Sequence, residues 1–403
     1  MGKVALLLPA LLFACQAVSS VNLQRNDLFE LAGLAYVMSR DTVPPEDGFR
    51  TGEDAFFYMV GYGAVAPELR AEVESRLAPF AGHRLIDFMR GFRRSATAFN
   101  LNDIYAMTNS LTWDKDSIVL KPGADIEMLD EICLVEGAGK TTAMLFGNLL
   151  KDFYDKTDFA GFLADNADYY ERRADEVNEI YKNFDESYFE SLMPGGRLEF
   201  VPVYSFCFGS TVVGDWRDGD VMVVMSVGDD GRWGTAGGDA SWFMSGTSND
   251  LAKSLCLDYA CEVYEDNAAN LEKPSAKIYD AFKDRELSGK KIRMAVDGGT
   301  MIAAGGYNKP QKLAEHWMMW MYMFDYLDKT GQGPRDYWMD LAVNVDRIYW
   351  LEPSLRAVSG SKDVADLTGR IISCFDYLAD NFDSVAAECY KPSVGMKYKR
   401  NRM

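Results

Sequence analysis

The residues with the most suggestive spacing are Gly137-Ala138-Gly139-Lys140-Thr141-Thr142. A phosphate-cradling loop needs a glycine, four residues, then Gly-Lys-Ser/Thr, so that successive amides wrap a phosphate. The first glycine of that pattern would stand at position 134, which is Leu134. The wrap is too short, and a bulky side chain stands where backbone should approach. Val223-Val224-Met225, leading to Asp229-Asp230, could mimic a magnesium-binding strand end. The chain is otherwise poor in the alternating βαβ units which that fold requires. The simpler expectation is a turn in which Thr141 or Thr142 caps a helix running to Tyr154.

Histidine is scarce: only His83 and His316 occur. A Ser-His-Asp or Cys-His triad would have to use one of them, and no Gly-x-Ser-x-Gly elbow answers either. A three-histidine zinc site is impossible, and His-Glu-x-x-His is absent. His83, within PFAGHRL, reads as a structural residue in a loop or at a helix start. Glu315-His316 lies in AEHWMMWMYMF, a helix apolar almost all round and therefore buried. A buried carboxylate needs a partner, so an internal hydrogen-bonded pair is expected there. Asp215, Asp218, Asp220, Asp229, Asp230 and Asp239 could bind calcium, but they miss the EF-hand spacing and read as surface turns. Nothing singles out a pair of carboxylates for glycoside hydrolysis.

The chain has 403 residues and a formal charge of -19, from 61 acids against 42 bases. Such a surface repels phosphate backbones and argues against nucleic acid as a partner. The one basic cluster, Lys397, Lys399, Arg400 and Arg402, reads as a solvated tail over 391–403. Nearly half of the residues are apolar, a globular composition. At the other end a short basic start precedes Val4 to Ala14, an apolar run of 11 residues. That is too short to span a bilayer and has the length of a signal-peptide core. Leu12-Phe13-Ala14-Cys15 resembles a bacterial lipobox, which makes Cys15 the expected lipidation site; the alternative is simple cleavage near Ala17 or Ser20. The expectation is an exported envelope protein that meets the membrane only through a lipid anchor. No acids follow Cys15 closely, which leans towards the periplasmic side. The other six cysteines, Cys133, Cys207, Cys256, Cys261, Cys374 and Cys389, show no metal pair or disulfide framework. Cys256 and Cys261 should point to different faces of one helix.

These residues must be positioned by a mostly helical chain. Leu145, Leu149 and Phe153 recur every four residues, as do Phe146, Leu150 and Tyr154, and the pattern is mostly helical from Asn26 to Tyr154. Helix continues over Asp165 to Leu192 and breaks at Pro194-Gly195-Gly196. Leu198 to Val213 and Asp220 to Val227, joined by Gly214 to Gly219, predict a small hairpin or sheet. Gly228 to Gly238 reads as a loop. Helices follow from near Asn249 to about Asp266 and from Gln311 to Leu327, and the final third is helical. The expected fold class is α+β, predominantly helical with one small central β-sheet. The expected organisation is a signal peptide over 1–20, a single domain over 21–390 and the tail. Within the domain lie a helical part 25–192, a sheet with its following helix 197–266, and a second helical part 275–390.

Three blocks carry a resemblance. FAGHRLIDFMRGFRRSATAFNLNDIYAM (80–107), NLLKDFYDKTDFAGFLADNADYYERRADEV (148–177) and FDESYFESLMPGGRLEFVPVYSFCFGSTVVG (184–214) occur in the order seen in a family of exported Bacteroidota proteins. That family is described as zincin-like metallopeptidases, and the resemblance covers most of residues 25–330. It implies a zincin-like fold in which the sheet is followed by a His-Glu-x-x-His helix. The two histidines would bind zinc and the glutamate would activate its water. The matching place reads Ser248-Asn249-Asp250-Leu251-Ala252-Lys253-Ser254-Leu255. Asn249 and Lys253 stand at the two histidines, Asp250 at the glutamate, and Glu315 matches a third ligand. Asn is a poor zinc ligand, an ammonium repels the cation, and Asp250 is a methylene short. Zinc is therefore expected to be lost, leaving no cofactor, with Lys253 paired to Glu315 or Asp250. The resemblance then implies a catalytically inactive relative that binds a peptide, protein or glycan through Asn249, Lys253, Glu315 and His316. The alternatives are a hydrolase using Glu315 and His316, and a structural envelope component.

Overall fold

The computed structural model describes residues 25–39, 65–95, 101–193, 195–205, 210–215, 220–226, 248–288, 294–296, 299–301, 307 and 309–389. The expected leader with Cys15, the Gly228–Gly238 loop with its aspartates, and the basic tail lie outside these residues.

The first helix, α1 (Asp27–Met38), begins where the Asn26 side chain accepts the Leu28 N–H at 3.0 Å. Every residue from Leu28 to Met38 is buried. After α2 (Pro67–Glu72) come α3 (Arg84–Ser95), α4 (Leu101–Asn109), α5 (Ile126–Cys133) and α6 (Gly139–Lys156); α3, α4 and α6 pack on α1, and α5 packs on α6 and α4. Of the six residues expected on the apolar face of α6, Phe146, Leu149, Leu150 and Phe153 are buried, Tyr154 is partly buried and Leu145 is exposed.

Helix α7 (Phe159–Asp165) ends where the expected helix over 165–192 begins, and that expected helix is two pieces, α8 (Ala167–Tyr181) and α9 (Glu186–Glu190). Side chains start two of these helices: Asp158 accepts the Gly161 N–H at the start of α7, and Asp185 the Ser187 N–H at the start of α9. Such caps satisfy amides that a continuous helix would have bonded internally.

The expected sheet is present, with β3 (Arg197–Val203), β4 (Ser210–Asp215) and β5 (Asp220–Ser226) following two earlier strands. Its middle strand is β5, antiparallel to β4 with Asp215 opposite Asp220, and parallel to β3 with Arg197 opposite Asp220. The apolar run Leu198 to Val213 is thus two strands on opposite sides of β5. The expectation of a single sheet is corrected by two further ribbons. One pairs β1 (Leu111–Asp114) with β2 (Ser117–Leu120); the other pairs β6 (Met294–Val296) with β7 (Gly299–Met301). The first ribbon lies on α6, where a Cβ at Gly147 would stand 3.2 Å from Leu111 and 3.3 Å from Ile118. The chain is α+β and predominantly helical, with three small sheets among the described residues.

The C-terminal helices are α10 (Ser248–Asp266), α11 (Ala268–Ser288), α12 (Pro310–Thr330), α13 (Arg335–Asp340), α14 (Leu351–Val358) and α15 (Val364–Cys389). Helix α12 is their axle. Pro310 opens it, Gly331 ends it at φ 67°, and from Leu313 to Leu327 only His316 and Asp325 are not fully buried. Helices α10, α11 and α14 pack on it, and α15 packs on α11 and α14. The short α9 joins this group to the sheet: the Tyr188 hydroxyl contacts Tyr322 O at 3.1 Å and Asp325 Oδ2 at 3.0 Å, while α9 also packs on β3. Among the described residues no helix is long and apolar enough to cross a membrane, and all five described cysteines are free.

Candidate functional site

The glycine-rich stretch is a helix start whose anion is built in. Asp130, on α5, accepts the Gly137 N–H at 2.8 Å and the Gly139 N–H at 2.6 Å. The expected threonine cap is corrected: the N-cap residue of α6 is Ala138, and no side chain at that position bonds back. A carboxylate from another helix fills the role instead, because the first amides of α6 and its dipole favour negative charge there. Lys140 and Thr141 are exposed.

His83 is structural, as expected. Its Nδ1 accepts the Leu85 N–H at 3.2 Å at the start of α3, which leaves Nε2–H to donate to Asp152 Oδ2 at 2.9 Å. The ring also lies 5.1 Å from that of Phe153.

Of the residues singled out on α10 and α12, the fold brings Asn249, Lys253 and His316 to one region and leaves Glu315 apart. Asn249 and Lys253 are one turn apart on α10, and both reach towards the α12 side. The Lys253 ammonium lies over the Trp320 ring, 4.6 Å from its centre. It is 3.8 Å from Asp346 Oδ2. That same oxygen accepts the Trp320 indole N–H at 2.8 Å, and the Asp346 carbonyl accepts the Tyr307 hydroxyl at 2.9 Å. The Tyr307 ring stands edge-on to His316 at 5.2 Å. One aspartate therefore gathers the lysine, an indole and a tyrosine, and the tyrosine braces the histidine. Asn249 sits beyond Lys253, against Gly333 and Trp338. Gly333 has φ 74°, and a Cβ there would collide with Asn249 Nδ2 and stand 3.5 Å from Trp338 Nε1.

Burial pushes the His316 imidazole down to about 4, with Asp346 pulling it up and Lys253 pushing it further down. At neutral pH the ring is uncharged. His316 Nδ1, Asn249 Oδ1 and Trp338 Nε1 are buried without a hydrogen-bond partner among the described residues. Buried polar atoms normally have partners. Of these, the Trp338 indole N–H can donate and the Asn249 Oδ1 can accept, and the fold leaves both unpaired on the α10–α12 side of the molecule.

Glu315 belongs to a different face of α12. Its buried carboxylate accepts Gln311 Nε2 at 2.8 Å and Lys312 Nζ at 2.6 Å. The Cys261 thiol also bonds to it, and burial with this carboxylate pushes the thiol up to about 12. The expected pairing of Lys253 with Glu315 is corrected: Lys253 has Asp346, and Glu315 has Lys312. The helix geometry explains this, since residues 315 and 316 point about 100° apart on an α-helix. The Asp250 side chain lies outside the described residues.

Sequence reasoning missed Trp320, Trp338, Tyr307 and Asp346, which carried no local signal. It also missed Glu30, whose buried side chain on α1 accepts the Tyr204 N–H at 2.5 Å and the Ser205 N–H at 3.2 Å. The Ser205 hydroxyl bonds to it as well.

Around Lys253 the set is an ammonium, an amide, two indoles, a phenol, one carboxylate and one imidazole, which does not fit a zinc ion. Among the described residues no three His, Cys, Asp or Glu side chains converge to hold a metal. In comparisons with protein-family models, curated proteins and solved structures, no match was found.

Proposed function

We propose that this chain is a non-catalytic binding protein of the cell envelope, related to zincin-like metallopeptidases and carrying a lysine where those enzymes hold metal. The observation that supports this reading is the Lys253 ammonium, held between the Trp320 ring and the Asp346 carboxylate where α10 and α12 meet. A fixed cation at that point repels a divalent ion and leaves N–H donors for a ligand. Asn249, Trp338 and His316 add polar atoms that the fold itself does not use. A peptide, protein or glycan that supplies hydrogen-bond acceptors and donors suits such a place, because leaving these atoms unpaired is costly. Lipid anchoring at Cys15 and a periplasm-facing position belong to the same proposal and rest on residues 1–20.

Hydrolysis is the weaker reading. Glu315 is tied to Gln311, Lys312 and Cys261, so it is not poised to activate water. The Cys261 thiol, pushed up to about 12, is no nucleophile at neutral pH.

Zinc stoichiometry tests the proposal. The mature chain, purified without a histidine tag, is offered zinc at neutral pH beside the triple variant Asn249→His/Asp250→Glu/Lys253→His. The expected result is no stoichiometric zinc on the wild type and uptake by the triple variant. Near one zinc per wild-type chain would overturn the reading.

A further inference from the structure

A second site lies away from Lys253, where α12, α14 and the start of α15 enclose a groove of about 490 Å³. That volume is in the range of small-ligand sites. Its floor is apolar, formed by Met321, Leu355, Val358 and Leu367. Three acids and three bases line it. Four of these charges are already matched: Lys329 with Asp325 at 2.8 Å, and Arg335 with Asp328 at 2.6 Å. Arg335 is further fixed by lying over the Phe324 ring at 4.5 Å.

The remaining two are Glu352 and Arg356. They stand four apart on α14 with the acid first, the order and spacing that favour a helical ion pair. Even so, among the described residues neither side chain makes an ion pair or a hydrogen bond. Both border the groove and both are exposed. The end of α14 beside them is firm, because the Ser359 and Ser361 hydroxyls donate to Arg356 O at 2.8 Å and Val358 O at 2.6 Å.

We infer that this groove binds a zwitterion with an apolar body, a free amino acid or a short peptide. The ligand's ammonium would meet Glu352, its carboxylate would meet the Arg356 guanidinium, and its side chain would lie against Leu355, the partly exposed apolar residue of the floor. A planar guanidinium takes a carboxylate through two parallel N–H bonds. A ligand of one charge only would leave either Glu352 or Arg356 unmatched over an apolar floor. The inference does not depend on the proposed role of Lys253.

Calorimetric titration of the full mature chain tests it, with leucine, Leu-Leu, N-acetyl-Leu-Leu and Leu-Leu amide as probes. Leu-Leu or leucine is expected to bind, and deleting either terminal charge from Leu-Leu is expected to weaken it by roughly tenfold or more. Preference for leucine over Leu-Leu would identify an amino-acid site, and the reverse a peptide site. Arg356→Gln should abolish discrimination between Leu-Leu and its amide, and Glu352→Gln that between Leu-Leu and its acetylated form. Both side chains are exposed, and melting curves check that the variants fold. Absence of binding by every probe at millimolar concentration overturns the inference, as do blocked peptides that bind equally well or variants that leave both preferences intact.

Discussion

Asp130 and Gly139 are bound across a turn, the Asp130 carboxylate receiving the Gly139 amide at 2.6 Å. The contact places a fixed negative charge where a nucleotide phosphate would have to lie. It also demands glycine: a Cβ at position 139 would stand 2.5 Å from Asp130 N and Leu129 C. Asp130→Ala is expected to destabilise the chain by about 1–2 kcal/mol through the lost cap. Gly139→Ala should cost at least as much, because backbone must move. Urea unfolding measures both, and no saturable ATP binding is expected in either variant or in the wild type. An Asp130→Ala variant as stable as the wild type would show that the carboxylate is not the cap.

Glu30 should make stability depend on pH. Burial raises its carboxyl from 4.5 to about 7, against the pull of Ser205, Tyr204 and Arg25. The folded chain therefore holds this proton over a range where the unfolded chain has released it. The stabilisation is fully present below the unfolded value and is lost as pH rises from there through about 7. The whole swing is on the order of 3 kcal/mol, since each tenfold gain in proton affinity is worth about 1.36 kcal/mol. Urea midpoints across this window should fall with rising pH in the wild type, and the fall should be smaller in Glu30→Gln. Equal slopes in the two proteins would assign the dependence elsewhere.

His316 should titrate far below an ordinary imidazole. With its folded value at about 4, it contributes stability above the unfolded value of 6.5, and that stability is lost as pH falls from there through about 4. The ring proton signals of His316 report this directly by NMR. Lys253→Met should raise the midpoint, because the lysine charge is one of the influences holding it down. A midpoint near 6.5 in the wild type would mean that the ring is solvated, and the neutral-imidazole description of the site would fall.

Some of this was legible in the sequence. The helix over Gln311 to Leu327 was, since apolar residues on every side leave few alternatives to burial. The α10 helix and the strands flanking GDWRDG were also legible from local pattern. The β1–β2 ribbon was not, because LTWD and SIVL are short and lie between strong helical signals. Asn249, Lys253 and His316 stand out by residue type and spacing alone, and the fold gathers them. Their partners were invisible because the contacts are long-range: Asp346 meets Lys253 from far along the chain. Glu30 was hidden for a related reason. A glutamate in the first turn of a helix reads as a solvent-facing dipole partner, and only the arrival of Ser205, 175 residues later, turns it into a buried acceptor.

The small helix α9 has a consequence for how the protein is made. Tyr188 bonds to Tyr322 and Asp325, which lie 134 and 137 residues downstream. The Phe184 and Phe189 rings also lie tilted against Tyr326, at 6.3 and 5.5 Å. During synthesis these three aromatic side chains leave the ribosome long before the helix that covers them, since domains build from the N-terminus at about 5–20 residues per second. For that interval the growing chain displays a sticky aromatic cluster, and the fold there can close only once α12 has been delivered. A chain cut short before Tyr322 would leave that cluster without the partners that cover it.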